Sequence, residues 1–140
     1  MVHALESCRR LLRPGGYLVD IHPGGEPPPI EMALGEQHIL LGHLQESDDF
    51  IEYAQADAAL AQAVQMGLFT WQRREEFTFT TICSSVAELR AYLEENWGNA
   101  ILNPEIDARE GEILARATPT DTAPTVILSE RVRIARLQPT

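Results

Sequence analysis

The sequence predicts a mixed α/β fold, because segments of helical and of extended periodicity alternate along its length. Three observations support this prediction. The chain starts with an amphipathic helix, a Pro-Gly-Gly turn and an apolar strand; two long extended runs follow; and helix caps lie between those runs. With 140 residues, of which 44% are hydrophobic, the chain is long enough for a single domain over residues 1–140.

The first predicted unit is a helix, a turn and a strand. Leu5, Cys8 and Leu12 recur at helical spacing, and Pro14 ends the helix because the residue before a proline avoids helical geometry. A glycine pair then permits a sharp turn. The apolar run Tyr17–Ile21 is typical of a strand that is buried on both faces.

A loop rich in glycine and proline leads from this strand into a predicted hairpin, with strands at residues 30–34 and 38–44. Residues 24–44 together are therefore predicted to form an insertion. Ser47-Asp48-Asp49 is predicted to cap the next helix. The predicted buried stripe of that helix consists of Phe50, Ala54, Ala58, Ala61 and Val64.

The second half of the chain begins with a long extended run over residues 68–82. Ser85 and Glu88 have the spacing of a capping box, and Asn103 followed by Pro104 marks the start of another helix. Residues 84–117 thus form a predicted helical insertion, in which Leu114 is expected to face inward. A polar loop over residues 118–124 precedes the last strand, at residues 126–137.

The segment Leu11–Val19, Leu-Leu-Arg-Pro-Gly-Gly-Tyr-Leu-Val, resembles the Leu-Lys/Arg-Pro-Gly-Gly-x-Leu segment of class I S-adenosylmethionine-dependent methyltransferases. In that family the segment joins the fourth helix to the fifth strand. The resemblance implies a partial Rossmann-like fold: a mixed sheet of the last three strands plus the extra hairpin, flanked by about four helices. It also implies that the last strand lies between the first and the long strand, antiparallel to both.

The family binds S-adenosylmethionine with a glycine-rich loop after its first strand, and neither glycine pair of this chain precedes a helix. We therefore predict no cofactor-binding residues. The expected protein is a truncated or split methyltransferase-like chain, inactive unless an N-terminal half completes it and brings the cofactor. The alternatives are a non-catalytic binding or dimerisation module derived from such an enzyme, and an unrelated small enzyme that uses His and Glu near the Pro-rich loop.

Asp20 and His22 end the first strand, where open α/β sheets bind their ligands, and they are the catalytic candidates. His22, Glu26 and His38 are the candidates for substrate binding. The alternative is that Asp20 and His22 only bond to the following loop. No metal site is predicted, because the histidines lack metal-ligand spacing.

Arginines cluster on the last strand, where Arg131, Arg133 and Arg136 are expected either to pair with Glu75, Glu76 or Glu130 or to bind an anionic substrate. The net charge of −10 argues against nucleic acid as a partner. Neither a signal peptide nor a membrane span is predicted. The two cysteines, Cys8 and Cys83, are expected to be buried free thiols in the cytoplasm.

The strand Tyr17–Ile21 should have one open edge, since the strand that would pair with it in a complete methyltransferase lies outside this chain. An apolar strand with a free edge invites pairing with another chain. We therefore expect a homodimer, or a complementing chain that supplies the N-terminal half; the alternative is that the hairpin folds over this edge.

Overall fold

The structure is a computed structural model that describes residues 2–118 and 122–140, so part of the predicted loop at 118–124 lies outside the described residues. The described residues form a mixed α/β protein, as predicted. Its helices are α1 (Val2–Leu11), α2 (Ile51–Gln65), α3 (Val86–Asn96) and α4 (Pro104–Arg116). Its strands are β1 (Leu18–Pro23), β2 (Pro29–Leu34), β3 (Gln37–His43), β4 (Gln45–Glu46), β5 (Phe69–Cys83), β6 (Ala100–Ile101) and β7 (Thr125–Pro139).

The chain divides into two compact units. Unit 1 comprises Met1–Glu26, Ile51–Thr78 and Arg131–Thr140, and unit 2 comprises Pro27–Phe50 and Phe79–Glu130. The long strands β5 and β7 each contribute residues to both units. Of the described helices, none is long and apolar enough to cross a membrane.

In unit 1, β7 is the central strand. β1 pairs with it antiparallel, from Leu18 opposite Leu137 to Pro23 opposite Val132. β5 also pairs with β7, and the Thr70 hydroxyl donates to the Gln138 carbonyl at 3.4 Å. Because β1 and β5 pair with the same stretch of β7, they occupy its two edges. This is the predicted order of the three strands.

The core of unit 1 lies between these strands and α2. It contains Leu60, Ala63, Phe69, Ala135 and Leu137. Gly67 ends the helix as predicted, with a positive φ of 68° and its N–H donating to the Val64 carbonyl.

The predicted buried stripe of α2 is wrong in part. Phe50 is buried, but Ala54, Ala58 and Ala61 are exposed, and the helix buries Ala59, Leu60 and Ala63 instead. Alanine is only weakly hydrophobic and occurs on both the buried and the exposed face of a helix. A run of alanines therefore does not show which face is buried.

The predicted cap of α2 is also wrong. The helix begins only at Ile51, after two residues in the left-handed region, Asp49 (φ 54°) and Phe50 (φ 59°). Ser47 and Asp48 bond to Asn99 rather than to the start of α2: the Ser47 N–H donates to the Asn99 carbonyl, and the Asn99 side chain donates to Asp48.

In unit 2, the predicted hairpin is present. β2 pairs antiparallel with β3, and on its other edge it pairs with the first part of β7, with Ile30 opposite Leu128. α3 and α4 begin where the caps predict, because the Ser85 and Asn103 side chains accept the N–H groups of Glu88 and Glu105. The core joins both helices to the hairpin and contains Val86, Leu89, Leu93, Ile106, Ile30 and Leu128.

Two further burial predictions are corrected. β1 is not buried on both faces, since Val19 is 55% and Ile21 is 59% exposed. Leu114 on α4 is exposed as well, whereas Ile106 on the same helix is buried. Ile113, two turns after Ile106, packs against the same core, and Leu114, one residue further on, is turned away from that face of the helix.

Candidate functional site

The candidate site lies in unit 1, at the C-terminal end of β1. Successive side chains of a strand point to opposite faces. Leu18 packs on the core that includes α2, so Asp20 and His22 share its side of the sheet, and Val19 and Ile21 point the other way. The alternation of β1 therefore aims both catalytic candidates at α2.

His22 lies between two aspartates. Its Nδ1 is 2.5 Å from Oδ2 of Asp20, and its Nε2 is 3.4 Å from Oδ1 of Asp57 on α2. The imidazole is only 11% exposed. Because an ionised carboxylate only accepts hydrogen bonds, the bond to Asp20 places the proton of a neutral ring on Nδ1 and leaves the lone pair on Nε2.

The Nε2 atom of His22 is buried and makes no hydrogen bond within the described residues. Asp57 is within ion-pair distance, but its oxygen is not aligned with the ring nitrogen well enough for a hydrogen bond. A buried nitrogen without a hydrogen bond is uncommon in folded proteins, and a catalytic role, a bound water or local strain explains such an atom.

Arg133 on β7 connects the site to a wider ion-pair network. Its guanidinium hydrogen-bonds Asp57, donates through Nε to Glu76 at 3.1 Å, and lies 3.6 Å from Glu26. The hydrogen bond to Glu76 has the largest effect and raises the pKa of Arg133; burial lowers it, and the charge of Asp57 and the hydrogen bond to Asp57 raise it further. Arg131 lies 3.6 Å from Glu26 and 3.9 Å from Glu76. The expected pairing of β7 arginines with β5 glutamates is thus confirmed for Glu76.

A cleft of about 410 Å³ opens beside His22 within unit 1. Its polar lining includes His22, Asp57 and Arg133, and its apolar lining includes Leu60 and Trp71. This volume lies in the range of small-molecule sites, which are concave and largely apolar with a few polar groups. The cleft combines a proton acceptor with fixed charges, and this combination can bind a small polar molecule and remove a proton from it.

The structure brings together three of the four candidate residues that the sequence predicts. Asp20 and His22 are in direct contact, and Glu26 joins them through Arg133. His38 belongs to unit 2, where it is exposed and its Nδ1 is 3.7 Å from Glu31. It is therefore no part of the site in unit 1.

Asp57 is the residue that sequence reasoning missed. It stands four residues after Tyr53 and three before Leu60, so it falls on the face of α2 that turns towards the core. A charged residue in that register is a signal of a polar site, since charges are rarely placed on a buried face without a partner. The signal was hidden because the alanines of α2 suggested a different inner face.

The glycines with positive φ in the first part of the chain lie in turns that lead into strands. Gly15, with φ 77°, and Gly16 precede β1, and Gly25, with φ 86°, stands in the loop before β2. Among the described elements, no turn from a strand into a following helix contains a glycine, so none presents helix N–H groups to a cofactor at close range. In the same described part of the chain, no group of three or more His, Cys, Asp or Glu side chains is placed to hold a metal ion.

No family model matches the chain, and neither a curated protein nor a solved structure matches it. The function is therefore inferred from the strand order and the site geometry.

Proposed function

We propose that this chain is the C-terminal part of a class I S-adenosylmethionine-dependent methyltransferase domain, with β1, β7 and β5 as the last three strands of a partial Rossmann-like sheet. The observation that carries the proposal is the strand order, in which β7 lies between β1 and β5. The segment Leu11–Val19, which resembles the methyltransferase segment, leads from the end of α1 into β1. Helix, turn and strand thus follow one another as the resemblance implies.

The proposed role of the chain is to hold the methyl acceptor and to accept its proton. A hydroxyl or amine in the cleft meets Asp57, which lines the cleft and also contacts Nε2 of His22. The hydroxyl or amine gives its proton to Asp57, and Asp57 passes a proton on to Nε2, while Asp20 keeps the other ring proton on Nδ1 and fixes the orientation of the imidazole. Asp20 is therefore a positioning residue. The chain alone is inactive in this proposal, because the cofactor site belongs to an N-terminal half.

Calorimetry with S-adenosylmethionine tests this function. The chain is compared with a longer protein that also contains the sequence encoded directly upstream of it, in the same or in an adjacent reading frame. We expect stoichiometric binding by the longer protein and none by the chain alone. Binding by the chain alone, or no binding by the longer protein, would contradict the proposal. Turnover by the chain without any cofactor would favour a small enzyme of another class.

A second function, that of a dimerisation module, is favoured by one observation. β1 pairs only with β7 among the described residues. Val19 and Ile21 on this strand are 55% and 59% exposed, and Tyr17 directly before it is 44% exposed. We propose that another chain covers this edge, either a second copy or the complementing N-terminal half. We also propose a reducing, cytoplasmic location, because both cysteines are free.

Sedimentation velocity of the chain alone distinguishes the two partners. A dimer that Ile21→Lys dissociates, and that the exposed control Gln72→Lys leaves intact, supports pairing of two copies at β1. A monomer that associates only when the upstream sequence is supplied supports the complementing half. A monomer under both conditions contradicts the proposed interface.

A further inference from the structure

The two arginines that line the cleft in unit 1 differ in their partners. Each carboxylate in its lining is paired with an arginine: Asp57 and Glu76 with Arg133, and Glu75 with Arg73 at 2.5 Å. Arg74 also lines the cleft, yet within the described residues it makes no ion pair with a carboxylate. Arg74 is therefore the arginine of the lining whose guanidinium no carboxylate of the described residues holds. An anionic group of a ligand would supply the missing partner.

Arg74 is held in a defined orientation. Its guanidinium carbon lies 4.6 Å from the centroid of the Trp71 ring, a distance at which a cation is attracted to the face of an indole. Trp71 packs on the core of unit 1 and is fixed there. The N–H groups of the Arg74 guanidinium therefore lie beside the flat ring of Trp71. A carboxylate accepts two N–H groups from such a fork in one plane.

His22 and Asp57 also line the cleft, and their chemistry differs from that of Arg74. His22 Nε2 is a buried nitrogen with no hydrogen bond, and Asp57 lies 3.4 Å from it. These groups accept a proton rather than provide positive charge. The cleft thus offers a cation for an anionic group and an acceptor for a protic group, with Leu60 and Ala135 as apolar lining.

We propose that this cleft binds a small aromatic carboxylic acid that carries a second, protic group, with the carboxylate on Arg74 and the hydroxyl or amine on Asp57. The aromatic ring packs beside Trp71 and Leu60. We take this ligand to be the methyl acceptor, and that assignment rests on the proposed function. Binding itself needs only unit 1 and no cofactor.

The test uses para-hydroxybenzoate as the probe, with benzoate and phenol as probes that each lack one of the two polar groups. The chain has two tryptophans, so its ¹⁵N-labelled spectrum contains two indole N–H signals, which Trp71→Phe assigns. Trp97 belongs to unit 2 and serves as an internal control. We expect para-hydroxybenzoate to shift the Trp71 signal saturably, to leave the Trp97 signal in place, and to bind more tightly than either simpler probe.

Two arginine variants locate the carboxylate. Arg74→Gln should weaken binding of para-hydroxybenzoate by about tenfold, the loss typical of one charge-assisted pair. The matched control Arg10→Gln changes an exposed arginine of α1 in the same unit, which neither lines the cleft nor pairs with a carboxylate of its lining, and should leave binding unchanged within about twofold.

Three results would overturn the inference: no saturable shift of the Trp71 signal, equal weakening by both arginine variants, or equal affinity for phenol and para-hydroxybenzoate. The titration contains no S-adenosylmethionine, so its failure leaves the proposed methyltransferase function standing. Conversely, failure of the calorimetry with S-adenosylmethionine leaves this ligand site standing.

Discussion

Arg133 is expected to be the residue whose charge stabilises the site most, and Arg133→Met tests this. The side chain of Arg133 is 31% exposed and that of its partner Asp57 is 28% exposed, so the pair is partly shielded from solvent. Hydrogen bonds to charged groups contribute about 1.5–3 kcal/mol each, whereas exposed ion pairs contribute about 0.2–1 kcal/mol. We therefore expect Arg133→Met to lower the free energy of unfolding by about 2 kcal/mol, with methionine retaining the apolar packing of the arginine stem.

Arg131→Met is the matched control on the same strand. Arg131 is 59% exposed, and its carboxylate contacts at 3.6 and 3.9 Å are longer than hydrogen bonds. Arg131→Met should lower the free energy of unfolding by less than about 1 kcal/mol. This difference should disappear in high salt, because exposed charges are screened over about 10 Å at moderate ionic strength.

Urea unfolding followed by far-ultraviolet circular dichroism measures both variants. With a denaturant slope of about 1–3 kcal/mol per molar urea, the Arg133 variant should unfold at a midpoint lower by about 0.7–2 M. Adding Asp57→Asn to Arg133→Met should recover part of the loss, since it removes a carboxylate left without its cation. The reasoning fails if Arg133→Met costs no more than Arg131→Met, or if Asp57→Asn lowers the midpoint of the Arg133 variant further.

Three further variants or reactions test other parts of the molecule. Leu89→Ala removes a fully buried side chain of unit 2 and should cost about 2–5 kcal/mol in thermal unfolding, whereas the exposed control Leu114→Ala should stay within about 0.5 kcal/mol. Burial raises the pKa of the Cys83 thiol, so iodoacetamide at about pH 8 should label Cys8 first, and equal labelling by mass spectrometry would show that Cys83 is accessible. Burial also raises the pKa of the Glu130 carboxyl in the folded chain above its ordinary value of 4.5. The stability that protonated Glu130 contributes is therefore fully present below that pH and is lost as the pH rises through the pKa of the folded chain. Glu130→Gln should therefore raise the urea midpoint at about pH 7 and not at about pH 4, and a gain of equal size at both would refute this.

The parts of the fold that the sequence predicts best are those fixed by local chemistry. Ser85 and Asn103 cap their helices through their own side chains, and Gly67 adopts the positive φ that a helix end requires. The hairpin around Gly35 and the extended run of β5 follow from turn residues and strand periodicity. In each case the information lies within a few consecutive residues.

The parts that were missed depend on contacts distant in sequence. Nothing local indicates that Asp49 and Phe50 adopt left-handed backbone conformations before α2, because neither is glycine. The pairing of Asp57 with Arg133 joins residues 76 positions apart. A sequence without an alignment cannot show such a pair, so the charged position on α2 gains its meaning only from the folded unit.

The two faces of β1 explain why one short strand is central to both proposals. Asp20 and His22 point to the core side, where Asp57 and the cleft lie, and Val19 and Ile21 point to the exposed side. A strand with apolar side chains on its outer face is stable in water only at a cost, and that cost is removed when another chain covers it. The core side of β1 does not depend on that cover, because its contacts all lie within unit 1. Ligand binding in the cleft and association through β1 are therefore separable properties of the same strand, and a change at Ile21 should affect association without altering the contacts of His22.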